Sequence, residues 1–300
     1  MSVAAAVVSF NTRGLLRDCL VSLREQIARI VVVDNGSTDG SWEMVRDEFP
    51  DVELLTPPEN LGFGRAVNLA ARHVGEPWLA VANADTAAEP GAVGRLLAAG
   101  ERAGQAAAIA PRLILPDGAT QHSVHPFPTI AFTAAFNAGV THLAADRLCL
   151  VGGWDPERPR EVPWAIGAFL LVRRTAFDAV GGFDERHWLY AEDLDLAWRL
   201  RRAGWRTLYE PGARVLHDAS ASTGAVFGEE RIEREQRAAY AWLYRRRGLT
   251  VTRTIAAMNV AGARVRSTIG PTHRRAAQRQ WASVHRRTGF ASPDDLRRVR

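Results

Sequence analysis

Arg29-Ile30-Val31-Val32-Val33-Asp34 is a β-branched run ending on a carboxylate, and the cluster Asn35-Gly36-Ser37-Thr38-Asp39-Gly40 follows it before an amphipathic stretch that reaches Phe49. Valine and isoleucine favour a pleated, buried backbone, whereas Asn, Gly, Ser and Asp supply turn conformations and helix caps. The segment therefore reads as strand, turn and helix. The same unit recurs on both sides of it. Val3 to Ser9 is a strand and Leu15 to Gln26 a helix; Val52 to Thr56 and Gly64 to Val74 form the next pair, and Trp78 to Ala82 and Pro90 to Ala103 the last. Four strand-to-helix units in series predict an α/β fold with a doubly wound, mostly parallel sheet flanked by helices and joined by right-handed crossovers.

Beyond residue 105 the alternation stops. Ala107 to Leu115 reads as one or two strands ending in the turn Pro116-Asp117-Gly118, and Val162 to Arg173 as one strand-like run. Glu192 to Ala203 reads as a helix, and Trp205 to Tyr209 and Arg214 to Leu216 as two short strands closing on His217. Gly118 to Ala145 lacks Asp, Glu and Arg altogether, and with Pro126, Pro128 and Asn137 it reads as a part-buried loop or lid. From Glu229 the chain is helical and Arg-rich. The expected organisation is an α/β domain over residues 1–228 and a helical C-terminal extension over 229–300.

The apolar fraction of 47% over 300 residues is enough to bury a large core, which excludes a disordered chain. All 38 basic residues are arginine, which points to a GC-rich coding sequence rather than to arginine chemistry. The formal charge of +5 is a sum of unlike parts, net −8 over residues 1–230 and net +13 over 231–300. Cys19 and Cys149 have no metal-ligand spacing nearby, and Met1 to Phe10 lacks a signal-peptide pattern. A reducing cytoplasmic setting is the expectation, and no run of about eighteen apolar residues offers a membrane span.

In an open α/β sheet ligands bind beyond the carboxyl ends of the strands, where loops and helix N-termini converge. Strand one ends at Ser9-Phe10-Asn11 and strand two at Asp34-Asn35-Gly36; strand three leads to Asn60-Leu61-Gly62-Phe63-Gly64-Arg65, and strand four ends at Asn83-Ala84-Asp85. One Asn-Gly or Asp after a strand is usually a turn. Four consecutive strand ends bearing amides and carboxylates describe a polar crevice. Asp34 can accept from a nucleobase N–H or ribose hydroxyls, Arg65 can meet a phosphate at a helix start, and Asp85 can ligate a hard divalent cation bridging a diphosphate. A dinucleotide fold is disfavoured, because Gly62-Phe63-Gly64-Arg65-Ala66-Val67 follows the third strand and has Val at the third small position.

Glu192, Asp193 and Asp195 open a helix, where acids stabilise the first turn. That capping role suffices for Asp195. For Glu192 and Asp193 the preceding Gly181-Gly182-Phe183-Asp184 turn and Trp188-Leu189-Tyr190 favour a sugar-sized partner, with a carboxylate acting as general base toward a hydroxyl. His217, taken alone, reads as a packed histidine.

The segments VVVDNGSTDGS (Val31 to Ser41), NLGFGRAVNLA (Asn60 to Ala70), NAD (Asn83 to Asp85), GAFLLVRR (Gly167 to Arg174), GGFDE (Gly181 to Glu185), YAEDLDLAWRLRRAGW (Tyr190 to Trp205) and VLHD (Val215 to Asp218) together resemble the family 2 glycosyltransferases of the GT-A fold. PRLILPDGATQHSVHPFPT (Pro111 to Thr129) is similar to bacterial rhamnosyltransferase-like members. The resemblance runs from Val3 to about Gly224. It implies inverting transfer of a sugar from a dTDP- or UDP-linked donor, with Mg²⁺ or Mn²⁺ on the diphosphate, to a glycan, lipid-linked or small-molecule acceptor. It places Asp34 on the base, with Ser9, Asn11, Asn35, Gly62, Arg65, Asn68 and Asn83 around the donor. Asp85 and His217 would hold the metal, Asp193 would be the base with Glu192 as second candidate, and Trp164, Gly167, Trp188 and Tyr190 would face the acceptor. Asn83 stands where many members have Asp, which leaves Asp85 as the anionic ligand of that element. His187-Trp188 departs from the two aromatics usual there.

The basic tail is open to three readings: a solvated helical face, a membrane surface contacted through 231–300 with Trp242, Tyr244 and Trp281, or nucleic-acid binding, which no recognised module supports. With a membrane role the protein would be peripheral on the inner face of the cell membrane, and no nucleic-acid partner is expected. Two rival functions fit the same architecture, a non-catalytic nucleotide-sugar or lipid-binding homologue and a sugar nucleotidyltransferase. Ser9-Phe10-Asn11-Thr12-Arg13-Gly14 is a poor version of the glycine-rich loop that the nucleotidyltransferase needs.

Overall fold

The computed structural model describes residues 2–218 and 230–299 of the chain. They cluster into two compact units, one of Met1–His125 with Asp155–Gly228 and the other of Pro126–Trp154 with Glu229–Arg300.

In the first unit β1 (Val3–Ser9), β2 (Arg29–Asp34), β3 (Glu53–Leu55) and β4 (Trp78–Asn83) alternate with α1 (Arg13–Arg24), α2 (Ser41–Glu48) and α3 (Phe63–Ala71). β1 is buried along nearly its whole length and β2 beyond Arg29, which is why both are continuous apolar runs rather than alternating ones. α1 turns Leu16, Cys19, Leu20 and Leu23, one stripe of an i, i+3, i+4, i+7 pattern, into the core. The chain continues through β5 (Thr86–Ala88), α4 (Ala92–Arg102), β6 (Ala106–Ile114) and β7 (Val124–His125). After α5 (Ile130–Asn137), which belongs to the second unit, come β8 (Arg160–Val162), β9 (Trp164–Ala165), β10 (Phe169–Arg173), α6 (Arg174–Ala179), α7 (Glu192–Arg202) and β11 (Arg206–His217).

Among the described residues nine strands form one sheet in the order β3-β2-β1-β4-β10-β6-β11-β5, with β8 also on β11. β3, β2, β1, β4, β6 and β11 share one direction, and β10, β5 and β8 run against them. From β1 the chain moves out to β2 and β3, then returns to β4 on the other side of β1. The crevice over the carboxyl ends of β1 and β4 is therefore a topological switch point. The register puts Asp34 beside Ser9 and Asn83 beside Val8, so those ends finish level.

Two expectations are revised. The run Val162 to Arg173 is three short strands interrupted at Pro163 and Gly167: β8 pairs with β11, β9 with β7, and β10 enters the central sheet between β4 and β6. Conversely, Trp205 to Tyr209 and Arg214 to Leu216 belong to one strand, β11, whose register shifts between Glu210 and Arg214 around Pro211-Gly212.

The second unit is helical: α8 (Arg231–Ile269), α9 (Thr272–Gly289), α10 (Pro293–Arg298), α5 and a 3₁₀ turn over Val140–Ala144. α8 is broken at Gly248, whose φ of 80° and ψ of 171° are not helical. Within 118–145, the expected loop, residues 130–137 are helix. Thr129 Oγ1 caps it by accepting from Phe132 N, and Asn137 Nδ2 donates to Asn259 Oδ1 at 3.1 Å. Ser292 and Asp295 make a capping box at the start of α10.

Candidate active site

A solvent-open crevice of about 680 Å³ lies over the carboxyl ends of β1 and β4, with Ser9, Asn35, Gly62, Asn83, Asp85 and Trp188 among its walls. Its walls combine apolar surface with a few convergent polar groups, the make-up of a small-molecule site. Asp34 is 2% exposed; its Oδ1 accepts from Gly36 N and Ser37 N, while Oδ2 is buried without a hydrogen-bond partner among the described residues. Such an atom is a buried acceptor with unused hydrogen-bonding capacity. Asn35 is turned to the protein instead, donating to Gly62 O and accepting from Leu61 N, both at 3.2 Å. Asn11, at φ 52°, takes Thr38 N on its side-chain oxygen and gives its own N–H to Ser37 Oγ. Ser9 Oγ sits 3.1 Å from Thr12 Oγ1.

The loop before α3 is clasped to residue 188. Phe63 N donates to Trp188 O, Trp188 Nε1 donates to Asn60 O, and a Cβ on Gly62 would overlap the Trp188 carbonyl. Gly62, at φ 75° and ψ −175°, occupies backbone space that only glycine tolerates. Arg65 and Asn68 are engaged away from the crevice. Arg65 Nε lies 3.7 Å from Glu185, and Asn68 accepts from Phe183 N while donating to Phe183 O. Asn68 thus staples the Gly182-Phe183 turn.

β5 and β11 bring the two expected metal ligands together. Thr86 pairs with His217, Asp218 N donates to Asp85 O, and His217 Nε2 lies 3.4 Å from Asp85 Oδ1. Both side chains are nearly buried, His217 at 6% and Asp85 at 5%. His217 Nδ1 is 2.7 Å from Gln121 Oε1. An amide oxygen only accepts, so Nδ1 is the donor to Gln121, and Nε2 is the ring nitrogen that faces Asp85. An imidazole nitrogen and a carboxylate oxygen brought together in this way are a donor set that fits a divalent cation. A second group, Asp184, His187 and Asp195, has ligand atoms within 4.8 Å of one another. There each carboxylate already carries an arginine, Arg186 on Asp184 and Arg199 on Asp195 at 2.6 Å, so the group reads as an ion-pair network that fixes the approach to α7.

Asp193, in the first turn of α7, accepts from Leu194 N on Oδ1 and from Gly167 N on Oδ2 at 2.9 Å. The second bond comes from outside the helix, which a plain capping role does not require. Gly167 is wedged against both Asp193 and Phe63, a wall of the crevice. Glu192 is buried, and burial together with the charge of Asp193 pushes its carboxyl up to about 8. Tyr190 and Ala191 both have positive φ, 65° and 63°, a strained entry to the helix. Trp164 stacks at 4.7 Å on His125, whose imidazole is held to about 3 by burial and by His122. Gln121 and His125 were not singled out from the sequence. Both lie in the Pro111 to Thr129 segment, where the polar residues between Gly118 and Pro126 were the available signal.

Family models match along the chain: glycosyl transferase family 2 over residues 5–150 and glycosyl transferase family group 2 over residues 155–283. The chain is 39% identical over 221 residues to the N-acetylglucosaminyl-diphospho-decaprenol L-rhamnosyltransferase of Mycobacterium tuberculosis (strain CDC 1551 / Oshkosh), covering 67% of this chain and 69% of that one. It is 31% identical over 109 residues to the rhamnosyltransferase WbbL of Escherichia coli (strain K12), over 36% and 39% of the two chains. Among solved structures, the mannosyltransferase PcManGT from Pyrobaculum calidifontis, in complex with GDP-Man and Mn²⁺, superposes with a TM-score of 0.59 at 18% identity over 95% of this chain and 84% of that one. The fold is thus of the GT-A nucleotide-sugar transferase type. The chain belongs to glycosyltransferase family 2, as a rhamnosyltransferase-like member.

Proposed function

We propose that the protein is an inverting rhamnosyltransferase that moves the sugar of a dTDP- or UDP-linked donor to a hydroxyl of a lipid-linked acceptor. The observation that carries the catalytic part is the Asp193 carboxylate, held by Gly167 N–H beside the crevice wall. The sugar and the acceptor class are supported by likeness to an L-rhamnosyltransferase whose name specifies an N-acetylglucosaminyl-diphospho-decaprenol substrate.

Asp34 Oδ2 accepts from the base or ribose, and Trp188 and Gly62 shape the wall beside it. Asp85 and His217 Nε2 would hold a Mg²⁺ or Mn²⁺ ion, which when bound neutralises charge on the diphosphate. Asp193 takes the proton of the acceptor hydroxyl as that oxygen bonds to the anomeric carbon. The bond from carbon to the diphosphate oxygen breaks, and its electron pair leaves with the nucleoside diphosphate. One displacement inverts the centre, so one base suffices. Glu192, whose carboxyl is pushed up by burial and by the charge of Asp193, is the second candidate for that role. Arg65 reaches a phosphate by exchanging its exposed contact with Glu185, and the family likeness is what assigns Trp164 and Tyr190 to the acceptor side.

Asp193→Asn should lower transfer about 10²- to 10⁴-fold, followed by nucleoside diphosphate release, while donor-induced thermal shifts persist. Turnover within tenfold of the native enzyme removes Asp193 as base. A melting panel of dTDP-, UDP- and GDP-sugars with Mn²⁺ identifies the donor, and the largest shift is expected with dTDP-rhamnose.

Membrane contact is proposed for the second unit, on the inner face of the membrane. Of the described residues, no helix is long and apolar enough to cross a bilayer. Of the aromatic anchors expected from the sequence, Trp242 is fully buried, whereas Trp281, stacked on His285, and Tyr244, beneath Arg297, are partly exposed. Support comes from Val140, Leu143 and Val151, which are 48%, 79% and 76% exposed in the same unit as the arginine-rich helices.

A further inference from the structure

The turn Pro116-Asp117-Gly118 is built with more bonds than a surface connection needs. Gly118 adopts φ 83°, Ala119 N donates to Asp117 Oδ1, Gly118 N to Leu115 O, and Leu115 N to Ala119 O. Thr120 then bridges back to Ile114 and accepts from Arg112 Nε at 2.7 Å, and Gln121 N donates to Leu113 O. The turn folds the chain tightly back along β6. β6 is the parallel neighbour of β11, with Ile114 beside Leu216, the residue before His217. This return places the side chain of Gln121 on His217.

We propose that Gln121 is a positioning residue that fixes the His217 tautomer and ring plane so that Nε2 faces Asp85 for a divalent cation; this rests on the metal role given to Asp85 and His217 above. A free imidazole has two tautomers and rotates about its χ2 bond, and only one combination aims an unprotonated nitrogen at Asp85. Gln121 Oε1, accepting at 2.7 Å from Nδ1–H, selects it. Partners of this kind, one shell out from the ion, are typically worth 10- to 100-fold in metal affinity. A glutamine does this without adding charge, so the ion's net charge is left to act on the diphosphate.

The test is Mn²⁺ binding to the full chain without donor, by titration calorimetry and by loss of the free-ion paramagnetic signal. Gln121→Leu should weaken binding roughly 10- to 100-fold, with an unchanged circular dichroism spectrum. Gln121→Glu keeps an acceptor and should bind Mn²⁺ at least as tightly as the native chain. ¹⁵N shifts of His217 should report a protonated Nδ1 in the native protein and in Gln121→Glu, and a mixed tautomer in Gln121→Leu. If His217→Ala loses Mn²⁺ while Gln121→Leu stays within twofold of native, the role of Gln121 is overturned and the metal site stands. If His217→Ala binds as the native chain does, or the native chain does not bind Mn²⁺, the metal reading falls and this inference with it.

Discussion

Asp193 and Glu192 are neighbours on one helical turn, yet the structure divides them. Asp193 is partly buried, with each oxygen on a backbone N–H; Glu192 is 7% exposed and has a buried Oε2 without a hydrogen-bond partner among the described residues. A carboxyl raised to about 8 in the fold binds a proton between its unfolded value near 4.5 and 8 that the unfolded chain does not. The destabilisation is therefore absent below about 4.5, grows as pH rises through this window, and is complete above 8. Glu192→Gln should raise the melting temperature at pH 8.5 more than at pH 5, and parallel curves for mutant and native protein would contradict the burial argument. Asp34, Asp85 and Asp193 stood out in the sequence because each follows a strand or opens a helix, where the pattern of apolar residues stops, whereas His217 was raised only by the family resemblance. Gln121 was not, since its partner is 96 positions away and only the β6 to β11 pairing joins them.

At the scale of elements, β1 to β4 and their helices were readable from periodicity, because parallel strands covered on both faces are unbroken apolar runs. β10 was not placeable: an antiparallel strand between β4 and β6 reports its neighbours only through long-range pairing, as Leu171 shows by lying opposite both Ala80 and Ile109. The short α3 depends on its entry loop. Gly62→Ala sets a Cβ against the Trp188 carbonyl in backbone space closed to alanine, and should cost about 1–3 kcal/mol in a denaturant titration. Donor binding should fall with it, because the loop and Trp188 wall the same crevice. Gly36→Ala, at φ 86° but with open space around it, should cost less.

For the whole molecule, the division of charge read from the sequence sets a body of net −8 over residues 1–230 against a tail of net +13. The carboxylates given to cation and acceptor lie in the first part, and the second part has 17 arginines against 4 acidic residues. Flotation with anionic vesicles should retain the native protein at low salt. Leu143→Asp or Val151→Asp should reduce retention at least about tenfold, given the free energy of burying such side chains. Retention unchanged in both variants would remove the apolar contact, and retention that ignores salt would remove the arginine contribution. The second unit also contains residues 126–154, because Asn137 bonds Asn259 and Arg266 across to α8. That excursion has a consequence for anyone cutting and pasting homologues. The helical tail is not a cassette that can be exchanged at residue 228; a chimera that swaps it must carry 126–154 along, or both parents will be left with orphaned halves of one interface.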